Sequence, residues 1–533
     1  MHLELEKPTF TEENFIALLK LNSELSEKLE SFSKENKQLQ QNQKDLENQI
    51  ACYMEQIRLG KIRQFGQKSE TSGQLELLLS AAFDETGEIG QAEDEDKTKA
   101  DESLSDTETI IYTRKKKGIG RRIDTSKLPR EVITHDLSEA EKSCDKCGSQ
   151  LKKFGEDRSE QLEYIPAQVK VIEHVVPKYK YSCNCCDTVK SATKPELPLP
   201  KSMAAPSLIT DVIIKKFEYH LPWYRQSKIF TQDGLDIPAN TISNWFMQAG
   251  EVLEPLSIAL KEQINNTNIL QADETPVQVL KNNVNGYMWG YHSLEPKNRF
   301  ILFEYNESRG GKTPNDSLNK YQGILQTDGY SGYNNLRARD NIIAIGCWAH
   351  CRRYFTDVVK ISNKSGKAHE VVKWIGKLYQ IEAEARERKL TFESRKDLRQ
   401  SQAPPILKKI REKITKSIPL PKSALGKAIT YALNHWEYLT RYVDHGEAEI
   451  DNNLIENQIR PFALGRRNWL FLGNERSAKR ASFFYSIIQT CRLNNIDPRK
   501  YLIYVLSKAT SMRRGEINPT DLLPQFIDRD LLA

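Results

Sequence analysis

Apolar side chains recur every seven residues through the first sixty positions. Leu18, Leu25, Phe32, Leu39, Leu46 and Tyr53 form one seam, and Phe15, Asn22, Leu29, Asn36, Gln43, Ile50 and Ile57 form a companion three residues earlier. This repeat predicts a coiled coil over residues 12–58. Buried Asn at such a seam selects register and oligomer state, so the coil is expected to join copies of this chain into a homo-oligomer. A single amphipathic helix folded back on its own protein shares the pattern.

The spacing becomes helical again over residues 201–262. Leu208, Ile209, Val212, Ile213 and Phe217 define one helix, which ends before Leu221 and Pro222. Residues 223–230 give a second. After the turn at 232–238, Asn240 is placed to cap a third, from Thr241 to about Ala249. This is helix-turn-helix order, with Thr241, Ser243 and Asn244 free to meet DNA. A plain helical connector has the same spacing.

Beyond residue 262 short apolar runs replace helical periodicity. Residues 268–280 read as a buried strand carrying Asp273, and residues 323–328 as a strand that delivers Asp328 into a glycine-rich turn. Residues 286–292, 299–305 and 342–347 read as further strands. Residues 356–445 are charged and helical, and they divide this region from a later amphipathic helix. On that helix Ile450, Leu454, Ile455 and Ile459 share a face, Glu456 sits mid-helix, and Pro461 is expected to end it near Arg460. Hard divalent cations prefer carboxylate oxygen, and two-metal phosphoryl transfer needs several carboxylates converging from separate elements. Asp273, Asp328 and Glu456 meet that need.

Composition adds three constraints. A chain of 533 residues exceeds one ordinary core, so several domains are expected. The mean hydropathy of −0.61, the lack of a long apolar run and the non-signal N-terminus point to a cytoplasmic protein that does not enter membranes. The net charge of +6 leans toward polyanions. Of nine cysteines, four form two Cys-x-x-Cys pairs, Cys144/Cys147 and Cys183/Cys186, with Cys185 left over. Four thiolates at this spacing suit a closed, structural zinc site in a zinc-ribbon-like domain over residues 126–200, with an alternating β-ribbon between the pairs. His174 is a weaker ligand candidate. Residues 71–125 are an acidic and then basic run that reads as a disordered linker.

Five segments occur in one order: Asp-Glu-Thr-Pro-Val (273–277), Gln-Thr-Asp-Gly-Tyr-Ser-Gly-Tyr (326–333), Cys-Trp-Ala-His-Cys-Arg-Arg-Tyr-Phe (347–355), Asp-Asn-Asn-Leu-Ile-Glu (451–456) and Arg-Pro-Phe-Ala-Leu-Gly-Arg-Arg-Asn-Trp-Leu-Phe (460–471). Together they resemble the large transposase of the bacterial insertion-sequence-66 family. The resemblance implies a ribonuclease-H-like DDE catalytic core over residues 263–505 with a helical insertion, and Asp273, Asp328 and Glu456 as its triad. It also implies two catalytic magnesium or manganese ions, double-stranded DNA at element ends and target as partner, and accessory proteins from the same element. Arg352, Arg353, Arg460, Arg466, Arg467 and Trp469 are then candidates for DNA contacts. Residues 506–533 remain as a C-terminal tail. The fold class is therefore multidomain α/β: coiled coil, zinc-ribbon-like domain, helix-turn-helix region and DDE core. Cys347, His350 and Cys351 invite a metal reading, but on one helical turn they are expected to pack. Two other functions fit parts of the sequence: a non-catalytic zinc and helix-turn-helix regulator, and a hydrolytic nuclease with the same core.

Overall fold

The computed structural model describes residues 12–65, 169–180, 189–191, 197–199, 202–280, 284–361, 366–417, 419–420 and 422–532. The chain divides into two units, one of residues 1–87 with 195–533 and one of residues 88–194.

In the smaller unit, β1 (Lys178–Lys180) pairs antiparallel with β2 (Val189–Ser191). Cys144, Cys147, Cys183, Cys185 and Cys186 lie outside the described residues, as does the 71–125 linker. The alternation of residues 160–179 does not give a ribbon where it is described: 169–177 have no regular structure, and Val171, Val175 and His174 are exposed. Strand alternation needs a covered face to hold its register, and Val171 and Val175 have none.

The larger unit begins with α1 (Glu12–Phe65), whose heptad seam is exposed along its length, including Leu18, Leu25, Leu39 and Leu46. Near its end Cys52 is buried, and Glu55 accepts a hydrogen bond from the backbone N–H of Ala424 at 2.9 Å. Four helices follow residue 205: α2 (Pro206–Phe217), α3 (Trp223–Gln232), α4 (Ala239–Val252) and α5 (Glu254–Glu262). The third helix of the expected trio thus starts two residues early, and it starts behind Pro238, without an Asn240 side-chain cap. Pro238 pre-sets the extended entry, and that replaces the cap.

A five-stranded mixed sheet comes next: β3 (Ile269–Val279), β4 (Val284–Ser293), β5 (Ile301–Asn306), β6 (Gly323–Gln326) and β7 (Ile342–Ile345). Its order is β5-β4-β3-β6-β7, antiparallel among β3, β4 and β5 and parallel from β3 through β6 to β7. Helices α6 (Lys312–Ser317) and α7 (Asn334–Arg337) lie in the crossovers. Five helices separate β7 from the Glu456 segment: α8 (Trp348–Ile361), α9 (Lys367–Glu387), α10 (Phe392–Thr415), α11 (Ala424–Asn434) and α12 (Trp436–Thr440). They enclose a second hydrophobic core around Trp348, Ile375, Tyr442 and Ile450. A buried ion cluster braces it, in which Arg395 and Arg399 both grip Glu382, and Arg395 also holds Glu449.

The chain closes with α13 (Asn453–Trp469), α14 (Glu475–Leu493), α15 (Pro498–Ser507) and α16 (Ala509–Arg513). Pro461 does not end α13, which continues for eight residues beyond it. Phe462, Gly465 and Trp469 are buried there, and this packing outweighs the one hydrogen bond that proline cannot make. The segment after 506 is no loose tail. Leu522, Leu523 and Ile527 join the main core, and Tyr501 donates to Leu522 O at 2.7 Å. The same core takes in α2 and α4: Phe217 stacks on Phe484 and meets Tyr485 edge-on. Among the described residues no helix is long and apolar enough to cross a membrane.

Candidate active site

Gln271 and Gln326 are the last parallel pair between β3 and β6, and each is followed two residues later by an aspartate. Asp273 and Asp328 therefore emerge side by side at the carboxyl ends of adjacent parallel strand segments, where α/β sheets present ligands. Glu456 arrives on α13, which packs across β3 and β4. Gly290 faces Asp273 in the antiparallel register and makes room for that helix, since a Cβ there would stand 3.1 Å from Ile455 Cδ1.

Burial, then the charges of Glu274 and Asp328, and finally Glu456, push the Asp273 carboxyl up to about 8; a hydrogen bond from the Glu274 N–H at 2.8 Å opposes them. Like charges thus converge on Asp273. His350 Nε2 lies 3.8 Å from Glu456 Oε1, and Arg353 lies 3.9 Å from Glu456 Oε2. Burial and Arg353 lower the His350 pKa, while Asp328 and Glu456 raise it. Glu274 is engaged by partners of its own, its Oε1 gripped by Arg309 at 2.8 and 2.9 Å and its Oε2 by Tyr333 at 3.0 Å. The Asp328 turn is tied by its own carboxylate to Tyr330 N at 2.9 Å. Arg337 adds bonds to Thr327 Oγ1 at 2.6 Å, to Tyr330 O and to Asp328 O.

The donors are all-oxygen and carry surplus negative charge, which suits a hard divalent cation. Among the described residues no three His, Cys, Asp or Glu side chains are close enough to hold a metal ion together. The residues fit the ion by type and charge, and binding would have to draw the side chains inward.

Glu456 stands in the first turn of α13 and not mid-helix, because the helix begins at Asn453. Asp451 precedes the helix and is 7% exposed. It accepts from Tyr379 Oη at 2.8 Å and from Asn453 N at 3.0 Å, so it faces the helical insertion. Arg352 is only 5% exposed, with its guanidinium over the Tyr379 ring, so of the expected arginine pair Arg353 alone is open to a phosphate. Trp469 is also 5% exposed and packs edge-on against Phe462, which removes it from the surface set. Arg460 and Arg467 are exposed, and Arg466 is half-buried with a bond to Thr275 Oγ1 at 3.2 Å. Asn244 is exposed, with Thr241 and Ser243 partly so. Cys347 and Cys351 are buried, and Cys347 Sγ lies 3.2 Å from His350 Nδ1.

Sequence reasoning passed over Gln271, Gln326, Arg309 and Arg337. For the glutamines the signal was the repeated Gln-x-Asp at 271–273 and 326–328. At the tip that follows Trp469, the interleaving of basic residues with Trp469 and Phe471 already suggested contact with distorted or frayed DNA, but Leu470 was passed over. Leu470 is 62% exposed with φ 63° and ψ −50°, and Phe471 N donates back to Trp469 O at 2.8 Å. This is a γ-turn at a non-glycine residue, a conformation that costs roughly 1–3 kcal/mol.

Residues 201–480 match the family described as "Transposase IS66 family". Residues 141–187 match "zinc-finger binding domain of transposase IS66", and residues 52–133 match "Transposase C of IS166 homeodomain". Two relatives from Sinorhizobium fredii are each 30% identical to this chain. With uncharacterized protein y4hP the likeness runs over 488 residues, 85% of this chain and 85% of the relative. With uncharacterized protein y4jD it runs over 404 residues, 72% of this chain and 78% of the relative.

Proposed function

This chain belongs to the IS66 transposase family, and from that premise we propose that it binds the ends of its insertion sequence and catalyses metal-dependent DNA strand cleavage and strand transfer. The observation that carries the reading is positional: Asp273 and Asp328 follow the last parallel pair of β3 and β6, and the helix start that bears Glu456 is hydrogen-bonded to Gln271 of that pair. A ribonuclease-H-like core is supported by the strand order β5-β4-β3-β6-β7, with Asp273 two residues past the end of the parallel β3–β6 pairing and Asp328 two residues past β6.

Asp273, Asp328 and Glu456 would hold two magnesium or manganese ions. When bound, such ions supply charge stabilisation at the attacking and leaving oxygens of an in-line phosphoryl displacement. Arg353, beside Glu456 and exposed, would receive a DNA phosphate. Asn244, with Thr241 and Ser243, would meet the groove through α4, and Arg460 and Arg467 would grip backbone further from the cut. Cys144, Cys147, Cys183 and Cys186 would bind one structural zinc. The exposed seam of α1 would join copies of the chain, so that two element ends are held in one assembly.

The test uses the full chain with manganese or magnesium and a duplex taken from the flank of its own gene, joined to a supercoiled target. Nicking at the element boundary followed by joined products supports the reading, and both should vanish in Asp273→Asn. Cleavage without joining would make the protein a nuclease. Binding without cleavage would make it a regulator.

A further inference from the structure

From the tip that joins α13 to the end of β3, we infer that Leu470 and Phe471 form an apolar wedge that enters the base stack of duplex DNA. The inference rests on the transposase reading only for the identity of DNA as partner.

The tip is rigid. Trp469 and Leu472 on either side are buried, while Leu470 is 62% and Phe471 39% exposed. Leu472 is fastened to the strand that carries Asp273: its N–H donates to Gln278 O at 3.0 Å, and its carbonyl accepts from Leu280 N at 3.0 Å. The helix end is fixed as well, by Leu470 N to Arg466 O at 2.9 Å. Two large apolar side chains are therefore held out into water on a backbone that leucine disfavours. Folding alone would favour a small or polar residue here, or glycine at the positive φ.

The surroundings select the occupant. Residues 457–472 contain no Asp or Glu, and they contain Arg460, Arg466 and Arg467. Beyond the tip Glu475 is paired with Lys479, so the flanking charge is mainly basic, and an apolar point beside Arg460 and Arg467 is complementary to a polyanion with an apolar interior, which is DNA opened at a base step. Glu456 and Leu470 lie on one helix, 14 positions apart, and at 1.5 Å per residue this is roughly 21 Å. At 3.4 Å per base pair the wedge would act about six base pairs from the phosphate under attack.

The test places 2-aminopurine, which brightens when unstacked, at successive positions of a duplex from the flank of the gene. The full chain is added without divalent cation, so that cleavage plays no part, and binding is followed by anisotropy in the same samples. One or two adjacent positions should brighten several-fold with the unaltered protein. Leu470→Gly keeps the turn, since glycine accepts its φ, and removes the wedge. It should return the signal to that of free duplex while Kd changes by less than about threefold, because phosphate contacts carry affinity. Phe471→Ala should give a partial loss. Unchanged brightening in Leu470→Gly, or tight binding with no brightening anywhere, overturns the wedge and leaves the transposase reading standing. No binding to the duplex at all defeats both. A fall in the solution mass of free Leu470→Gly would assign the tip to a protein contact instead and also overturn the proposal.

Discussion

Gln271 donates its side-chain amide to Gln326 Oε1 at 2.9 Å, bridging β3 and β6 two residues before the aspartate that follows each glutamine. The same Gln271 side chain donates to Asp451 O at 2.9 Å and accepts from Ile455 N at 3.0 Å. Gln326 donates to Glu449 O at 2.7 Å and to Gly346 O at 3.3 Å. Two buried amides thus bolt both strands to the backbone on either side of Asn452 and Asn453, where the Glu456 helix starts. Without them the helix would still pack, but its first turn would lose its fixed distance from the strand ends.

Gln271→Leu has a definite expected outcome. It leaves Ile455 N–H, Asp451 C=O and Gln326 Oε1 short of partners in the interior. Each such loss costs on the order of 1–3 kcal/mol, so urea unfolding should report a loss of roughly 3 kcal/mol. Cleavage should fall by about a hundredfold while DNA affinity is kept, because a small misplacement of a reacting group costs that much. If stability and cleavage both stay near those of the unaltered chain, the amide clamp does not position Glu456.

The strands and both aspartates were legible because each lies in a short apolar run ended by polar or glycine residues. The helix register was legible too but was read for the wrong purpose. Arg352 falls four residues after Trp348 and three before Phe355, so it shares their buried stripe. Trp469 falls seven after Phe462 on the face that Ile455 and Ile459 bury. In both cases chemistry at the surface was expected where periodicity already pointed inward. Pro461 shows the opposite limit. Its local effect is to stop a helix, and only contacts made by Phe462, Gly465 and Trp469 with distant residues keep the helix going. The amide clamp was visible only as a repeated Gln-x-Asp, because its partners beside the Glu456 helix, Glu449, Asp451 and Ile455, lie over 120 residues away in the chain.

Lys216 gives a pH test of the junction between α2 and α13. Its ammonium is buried over the rings of Trp223, at 4.8 Å, and Trp469, at 5.5 Å. Burial lowers its pKa from 10.5 to about 8. Below pH 8 both folded and unfolded chains carry the proton, and the folded state bears the full cost of burying the charge. Between pH 8 and 10.5 the unfolded chain holds more protons, so this contribution rises with pH. Lys216→Met removes the cost. After the lost cation–π contact is allowed for, it should stabilise the protein by roughly 2 kcal/mol at pH 7 and by much less at pH 10. A gain that does not shrink with pH, or a loss at pH 7, would contradict the assignment.

The exposed seam of α1 calls for a measurement of mass. Removing residues 1–58 should lower the oligomeric state by light scattering, since leucines such as Leu18, Leu25, Leu39 and Leu46 then have no second helix to meet. Equal mass with and without the segment would mean that the seam folds back on its own chain.

The zinc ligands can be separated from their neighbour by chemistry alone. Two Cys-x-x-Cys pairs would complete a tetrahedral site and leave Cys185 over. Cys144→Ser should release about one zinc per chain to a colorimetric chelator and expose residues 126–200 to protease, whereas Cys185→Ser should do neither. Equal zinc loss from the two variants would reject this ligand set.

The choice between Glu456 and Asp451 as third acid is now a question of surroundings. Asp451 is spent on structure, with the Tyr379 hydroxyl and the Asn453 N–H on its carboxylate and burial raising its pKa. Glu456 is a quarter exposed, stands within 4 Å of His350 and Arg353, and contributes to the rise in the Asp273 pKa. A carboxylate already enclosed by donors has little to offer a cation, whereas one that repels a neighbouring acid gains by binding one. Glu456→Gln keeps the shape and removes the charge. It should abolish manganese-dependent cleavage and strand transfer, leave DNA affinity intact and change stability by less than about 1 kcal/mol, as expected for a partly exposed group. Asp451→Asn should instead lower stability by roughly 1–3 kcal/mol, through the weakened hydrogen bonds with Tyr379 and Asn453, and retain most of the cleavage per folded molecule. Should Asp451→Asn lose all chemistry at unchanged stability while Glu456→Gln transfers strands normally, the third acid is Asp451, and the start of α13 must move on binding metal.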